Sequence, residues 1–391
     1  HQRSENHIPK SIKTINKFKE YGKGLVRAVQ CAPWSLAANL GLYKGAGPEI
    51  QFIAEDADWS IRWDGEGIRR GLVCKNSPTF DLVKSPHNIA HRVVHFGSQY
   101  RWESWAPYIS KTNANVVSFF HGKPSDGPEV ERHIENFIRY EPKAKKIIVS
   151  NTLVQTRLVK WGISQSKIVK IPIGVDVHKY RSQCKYGSED IRKKLGIGQD
   201  VTLVGSFQKD GNGWGEGLTP KLIKGPDIFL SVVEGLSAYR DIHVLLTGPA
   251  RGYVIEGLKK LKIPFTHRYP SSVDALARLY RALDLYLITS REEGGPKGLI
   301  ESMSAGVPVV STYVGMAPDL IKDGINGAIT AVDDIEGLIE KSMETLSLSS
   351  DAKKRRNDQA YRQVLQCDWK TVAHEHLEKV YMPVMREIKI S

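Results

Sequence analysis

The chain has 391 residues, more than one hydrophobic core usually serves, so two domains are expected, each able to bury a core of its own. Hydrophobic residues make up 41% and charged residues 25%, which excludes a disordered or low-complexity protein, and no run approaches the roughly 20 apolar residues of a membrane span. A net charge of +13 favours an anionic partner, whether nucleic acid, lipid or a phosphorylated substrate, without choosing among them.

In chain order, Ile8 to Val29 comes first. Ile8, Ile12, Ile15 and Phe18 fall at helical spacing, while Lys10, Lys13, Lys17, Lys19 and Lys23 occupy the other positions. That pattern resembles an interfacial helix on a membrane, but the preferred reading is an N-terminal helix packed on the body with a solvated lysine face. Strands are predicted at Ile50–Ala54, Arg92–Gly97, Asn115–His121, Lys146–Ser150 and Lys167–Pro172, then at Val201–Ser206, His243–Gly248, Asp284–Thr289 and Val307–Thr312. Helical patterns fill the gaps at Pro226–Tyr239, Val273–Leu283, Pro296–Ala305 and Asp351–Gln366, with a last amphipathic helix at Trp369–Ile388. Alternation of this kind predicts an α/β protein with two Rossmann-like doubly wound domains facing across a cleft. Periodicity lapses over Lys179–Asp190, after Gly174-Val175-Asp176, so the boundary is set between domains 1–176 and 177–368. Cys31, Cys74, Cys184 and Cys367 are scattered without a C-x-x-C pair, which argues against zinc and a disulfide framework and for a reduced cytoplasm.

The stretch Ser290-Arg-Glu-Glu-Gly-Gly-Pro-Lys-Gly-Leu-Ile-Glu301 carries chemistry. A strand ends near Ser290, Gly294 and Gly295 allow a tight turn, and Pro296 suits a first helical position because its missing N–H costs nothing there. A helix N-terminus opening at strand ends offers unpaired N–H groups and a positive dipole, which bind phosphate. Lys297 in the first turn opposes that dipole, a local conflict that an anion in front of it resolves; the bland alternative is a surface pair with Glu301. Glu293, in the turn, is placed for a sugar hydroxyl or the positive charge of an oxocarbenium-like transition state. Glu301, further along the helix, is placed for a ribose diol.

This stretch resembles the Glu-x7-Glu element of family-4 retaining glycosyltransferases. Lys167-Ile-Val-Lys-Ile-Pro-Ile-Gly-Val-Asp176 is similar to that family's interdomain strand, Lys224-Gly-Pro-Asp227 to its phosphate lysine, and Asp323-Gly-Ile-Asn-Gly327 to its closing turn. The resemblance implies a GT-B fold, no divalent metal or other cofactor, and a nucleotide diphosphate-sugar donor of UDP or GDP type held by the second domain. It also implies that the last helix, within 369–391, returns to the first domain. The donor would meet Gly205, Ser206, Lys209, Lys224, Ser290, Gly294, Gly295, Lys297, Gly298, Leu299 and Glu301, with His121, at a strand end, and Glu293 holding the transferred sugar and Lys224 acting with them in catalysis from the diphosphate. Trp63-Asp-Gly-Glu-Gly67 resembles the family's glycine loop under the diphosphate. One departure is plain: the family's Gly-Arg after the first strand of the second domain reads Gly205-Ser206 here, with Lys209 as the substitute charge before a glycine-rich insertion, Asp210–Pro220.

Asp56-Ala57-Asp58 has the form of a metal-binding D-x-D but sits beside Trp59 and is assigned to a solvated loop. The function expected is retaining transfer of a sugar to a glycan or lipid-linked acceptor in cell-surface polysaccharide or glycolipid synthesis, by a cytoplasmic enzyme docked on the anionic inner membrane face. Two rivals stand beside it: a degenerate member that binds nucleotide sugar without turnover, and a nucleic-acid binder suggested by charge alone.

Overall fold

The computed structural model describes residues 10–54, 60–72, 77–182, 188–213 and 215–389, with side chains described from Gly22 to Ile388 except at Ser182 and Ser188. Asp56–Asp58 and the residues at Ile8, Ile12, Ile15 and Phe18 therefore lie outside what is described in side-chain terms. The first sheet comprises β1 (Ile50–Ile53), β2 (Phe80–Val83), β3 (Val93–Phe96), β4 (Ala114–Phe119), β5 (Ala144–Val149) and β6 (Ile168–Lys170) in the order β2-β1-β3-β4-β5-β6. The second comprises β7 (Thr202–Ser206), β8 (Ile242–Thr247), β9 (Phe265–Arg268), β10 (Leu285–Ile288), β11 (Val309–Thr312) and β12 (Ala328–Thr330) in the order β12-β11-β10-β7-β8-β9. All pairings are parallel. Strands buried on both faces need covering helices, and each sheet accordingly has an apolar cluster on either side. The order of the second sheet reverses between β7 and β10, so its crevice opens beyond Ser206 and Ile288.

Nine strands were foreseen and twelve are present among the described residues. The three extra ones, β2, β9 and β12, are all sheet edges. An edge strand is half-solvated, so Asp81, His267 and Arg268 break the apolar run that betrays an inner strand. The supposed glycine loop at Trp63–Gly67 is instead part of the helix Ser60–Gly71. Its glycines serve packing: a Cβ on Gly65 would stand 2.8 Å from the Phe52 ring, and one on Gly67 2.3 Å from the Trp369 indole. The unperiodic stretch Lys179–Asp190 holds parts of two short helices, Val177–Ser182 and Ser188–Leu195, too brief to show a repeat although Tyr180 and Ile191 are buried.

The chain crosses between the sheets twice, and the crossings lie side by side, Val175 N–H donating to Cys367 O at 2.9 Å and Trp369 N–H to Val175 O at 3.3 Å. The final segment then packs on the first sheet as a helix Trp369–His376, a π turn Leu377–Tyr381 and a helix Met382–Lys389. Trp369 fits between Gly67 and Gly174. Below it, His95 Nδ1 lies 2.7 Å from the Tyr381 hydroxyl and His95 Nε2 2.9 Å from Ser118 Oγ. Burial holds the His376 imidazole down at about 4 and His95 well below its ordinary range. Both are neutral in the fold, whereas the unfolded chain protonates them near pH 6.5, so stability is full above that pH and is lost as pH falls toward 4. His376 alone should weaken the fold by about 2 kcal/mol between pH 7 and pH 5. Hydrogen exchange in β3 and residues 369–388 measures this, and opening free energies equal at the two pH values would contradict it.

The N-terminal helix is longer than foreseen, Lys10–Asn39. One face packs on the first domain through buried Cys31 and Ala38, with Arg27 Nη1 donating to Ser104 O at 3.1 Å and its guanidinium 5.2 Å from the Trp105 ring centre. Leu25, Val26, Val29 and Leu36 on that helix, with Leu40 and Leu42 just after it, stay exposed.

Candidate functional site

The site forms where the second sheet reverses. Glu293 follows β10 and is nearly buried, 7% exposed. Its Oε1 accepts from Lys224 Nζ at 2.6 Å and from Ser290 Oγ at 2.8 Å. Lys224 ends a tight turn whose next residue, Gly225, has φ +61°; a Cβ there would stand 1.9 Å from Thr289 O, so only glycine lets this turn approach the strand end. Gln208, just past β7, donates from Nε2 to Lys224 O at 2.9 Å. Two strand ends and one turn thus converge on a single carboxylate.

From the first domain, His121 follows β4, near enough to Lys224 and Glu293 to feel both charges. Gln99 steadies the strand end, donating from Nε2 to His121 O at 2.7 Å and accepting from Phe120 N–H at 3.0 Å. Burial and then the Lys224 ammonium push the His121 imidazole below its usual range, partly offset by Glu293 and Glu292. His121, Lys224, Ser290 and Glu293 are therefore brought together.

The other expected residues divide. Lys209 shares a cluster with Lys221 and Lys224; burial and the Lys224 charge lower the pKa of Lys221, with Glu293 acting the other way. Lys221 escaped sequence reasoning, although its place three residues before Lys224 was a usable signal. Glu301 is partly buried, its Oε2 accepting from the Tyr280 hydroxyl at 2.7 Å, and burial raises its carboxyl pKa. Lys297 is not in the cation cluster. Its ammonium lies 2.7 Å from Asp64 Oδ1 in the first domain, between the rings of Trp63 and Trp369 at 5.8 and 5.9 Å. Its ion pair is thus with Asp64, and not the surface pair with Glu301 that stood as the alternative to an anion.

Leu299 is fully buried in the core and its N–H donates to Pro296 O at 2.9 Å. The glycines of the turn answer to packing: Cβ atoms would stand 2.8 Å from Phe120 O at Gly294, 2.4 Å from Ile173 at Gly295 and 2.2 Å from the Tyr286 hydroxyl at Gly298. Gly205 lies against Leu283 for the same reason. Ser206 is 1% exposed and turned inward, its hydroxyl accepting from Arg251 Nη2 at 3.2 Å and its carbonyl from Arg251 Nη1 at 2.6 Å. Arg251, also missed, spends its charge on buried Asp210 through bonds of 2.9 and 3.0 Å. Among the described residues no three His, Cys, Asp or Glu side chains gather as a metal site.

Known structures share this architecture. The Anabaena protein Alr3699/HepE, crystallised with UDP and glucose, superposes with a TM-score of 0.69 over 85% of this chain and 99% of its own, at 16% identity. The sucrose-phosphate synthase of Thermosynechococcus elongatus gives 0.66 over 86% and 99%, at 14% identity. The fold is that of GT-B glycosyltransferases. Sequence comparison adds to the GT-B likeness, since residues 218–363 match the family of group 1 glycosyl transferases. A D-inositol 3-phosphate glycosyltransferase of Mycobacterium sp. (strain KMS) is 24% identical over 317 residues, covering 78% of this chain and 67% of the relative. The protein of the same name from Mycobacterium marinum is 30% identical over 320 residues, covering 79% and 64%. Fold and sequence together support a GT-B glycosyltransferase.

Proposed function

We propose that the chain is a retaining, metal-independent glycosyltransferase using a nucleoside diphosphate-sugar of UDP or GDP type. The observation that carries this reading is the Glu293 carboxylate at the switch point of the second sheet, held by Lys224 and Ser290 with His121 of the other domain nearby. Glu293 and His121 grip the sugar, Lys224, Lys221 and Lys209 offset the diphosphate charge, and Glu301 accepts from the ribose. In the front-face reaction the bond from the anomeric carbon to the diphosphate oxygen breaks, the acceptor oxygen bonds on the same face, and the acceptor proton passes to the leaving phosphate. Preorganised cations in a closed cleft stabilise the departing charge. The UDP and glucose bound to Alr3699/HepE support a nucleotide sugar here.

The test is sugar transfer or donor hydrolysis with a panel of nucleotide sugars in the presence of a chelator. Turnover with chelator is expected, and activity that vanishes and returns with Mn²⁺ or Mg²⁺ overturns metal independence. Ser206 turned in on a neutralised Arg251 favours one second reading, a nucleotide-sugar binder without turnover. Tight donor binding with neither transfer nor hydrolysis would establish that reading instead.

For the acceptor, a glycan or lipid-linked sugar in cell-surface polysaccharide or glycolipid synthesis fits a cytoplasmic enzyme docked on an anionic membrane. The exposed Leu25, Val26, Val29 and Leu36 beside a lysine-rich stretch support that docking, each basic residue near the surface contributing on the order of 1 kcal/mol, screened by salt. Sedimentation with anionic but not neutral vesicles is expected. Failure to bind anionic vesicles at low salt removes the membrane and leaves the transferase.

A further inference from the structure

The turn that carries Glu293 is held by the first domain on both sides of that residue. Arg157, in the helix Thr152–Lys160, presents its guanidinium to Glu292, Nη1 donating to Oε1 at 2.7 Å and Nη2 to Oε2 at 3.2 Å. The two side chains are 20% and 9% exposed, a setting in which a two-pronged charge-assisted bond keeps its geometry. The same Nη1 also donates to Gly122 O at 2.9 Å. Gly122 is the residue after His121, and Glu292 is the residue before Glu293. One guanidinium therefore joins the two loops that carry His121 and Glu293, each from a different domain. On the far side of Glu293, the Gly294 carbonyl accepts from Ser150 Oγ at 2.6 Å and from Asn151 Nδ2. Lys123 comes no nearer to Glu292 than 4.0 Å, so it adds charge without fixing an angle.

We infer that Arg157 is a positioning residue that ties the His121 strand end to Glu293 across the domain boundary and sets the distance at which a sugar is gripped between them. This rests on the reading of His121 and Glu293 as sugar-binding groups. The chemistry requires arginine: a planar fork supplies donors to a carboxylate and a carbonyl at once, whereas a lysine ammonium gives a point charge. Glu292 lies outside the Glu-x7-Glu pattern, and its part is to give the fork an anchor adjoining Glu293.

The test uses the full chain with Arg157→Ala, Glu292→Ala and the two combined. A small displacement of a reacting group costs on the order of 10²-fold in rate, so kcat in each single variant should fall by about that factor. Nucleoside diphosphate affinity by calorimetry should stay within about threefold, because the Lys224 cluster is untouched. The combined variant should be no slower than either single one, since both break the same tie. Arg157→Lys should recover only part of the rate. Amide exchange over residues 291–299 should speed up in Arg157→Ala while β10 is unchanged. Additive losses, a kcat within threefold of the unaltered protein, or unchanged exchange in the turn would each overturn the inference. If the unaltered protein neither binds nor turns over any nucleotide sugar, it is the transferase reading that fails, and the exchange result judges the tie by itself.

Discussion

Glu293→Gln should lower sugar transfer by about 10²- to 10³-fold and leave nucleoside diphosphate affinity within about threefold. The substitution keeps the size of the side chain and an oxygen able to accept from Lys224 Nζ and Ser290 Oγ, now 2.6 and 2.8 Å away. What it removes is negative charge beside the sugar, and that charge is worth most when the anomeric carbon becomes positive, in the transition state. Lys224 keeps its place on the turn fixed by Gly225 and so remains for the phosphates. Saturating-donor kinetics with calorimetry for the diphosphate separate the two effects. Transfer within threefold of the unaltered protein would remove Glu293 from the catalytic group, and a parallel loss of affinity would make it a donor-binding residue only.

The second large effect is on stability. Arg251→Met should cost about 3–5 kcal/mol in the second domain, because it leaves the Asp210 carboxylate buried without its cation. Arg251 and Asp210 side chains are 0% and 1% exposed, and the same guanidinium also serves Ser206 O and Thr247 O at 2.6 and 3.0 Å. Burial already raises the Asp210 pKa with Arg251 beside it. Without Arg251 it rises further, so the loss should grow with increasing pH as the stranded carboxyl is forced to ionise. Nucleoside diphosphate binding should weaken too, since Lys221 N–H donates to Asp210 O at 2.7 Å and Lys221 follows the segment this pair anchors. Thermal melts at two pH values decide it: a loss under 1 kcal/mol, or one that shrinks toward alkaline pH, would show that the pair carries little of the fold.

Much of the architecture was written in local pattern. Inner parallel strands are apolar on both faces, so all eight of them, together with the edge strand β6, were visible as short β-rich runs between helical repeats, and two α/β units followed from their alternation. Glu293 and Lys224 stood out because a strand end, a glycine turn and a helix start have recognisable residues at fixed offsets. Those signals depend on a few neighbours in the chain, and a sequence states such neighbours directly.

Tertiary structure decided what depended on distance. Lys224 and Glu293 are 69 residues apart, and Arg157 and Glu292 are 135 apart. No local rule says that an arginine on a helix of the first domain will reach the carboxylate beside Glu293. Lys297 looked like a phosphate cation because its helix start was known and its neighbour Asp64, on another domain, was not. Gly294, Gly295, Gly298 and Gly67 carried the residue type of a phosphate loop, yet each is small because a ring, a side chain or a carbonyl from elsewhere presses on it. Sequence by itself determined the kinds of layer, the crevice-forming alternation and the carboxylate turn, since those follow from short-range periodicity and turn chemistry. Only the packed structure determined which charges meet, because pairing between side chains depends on which surfaces come within about 4 Å once the two sheets are closed on each other.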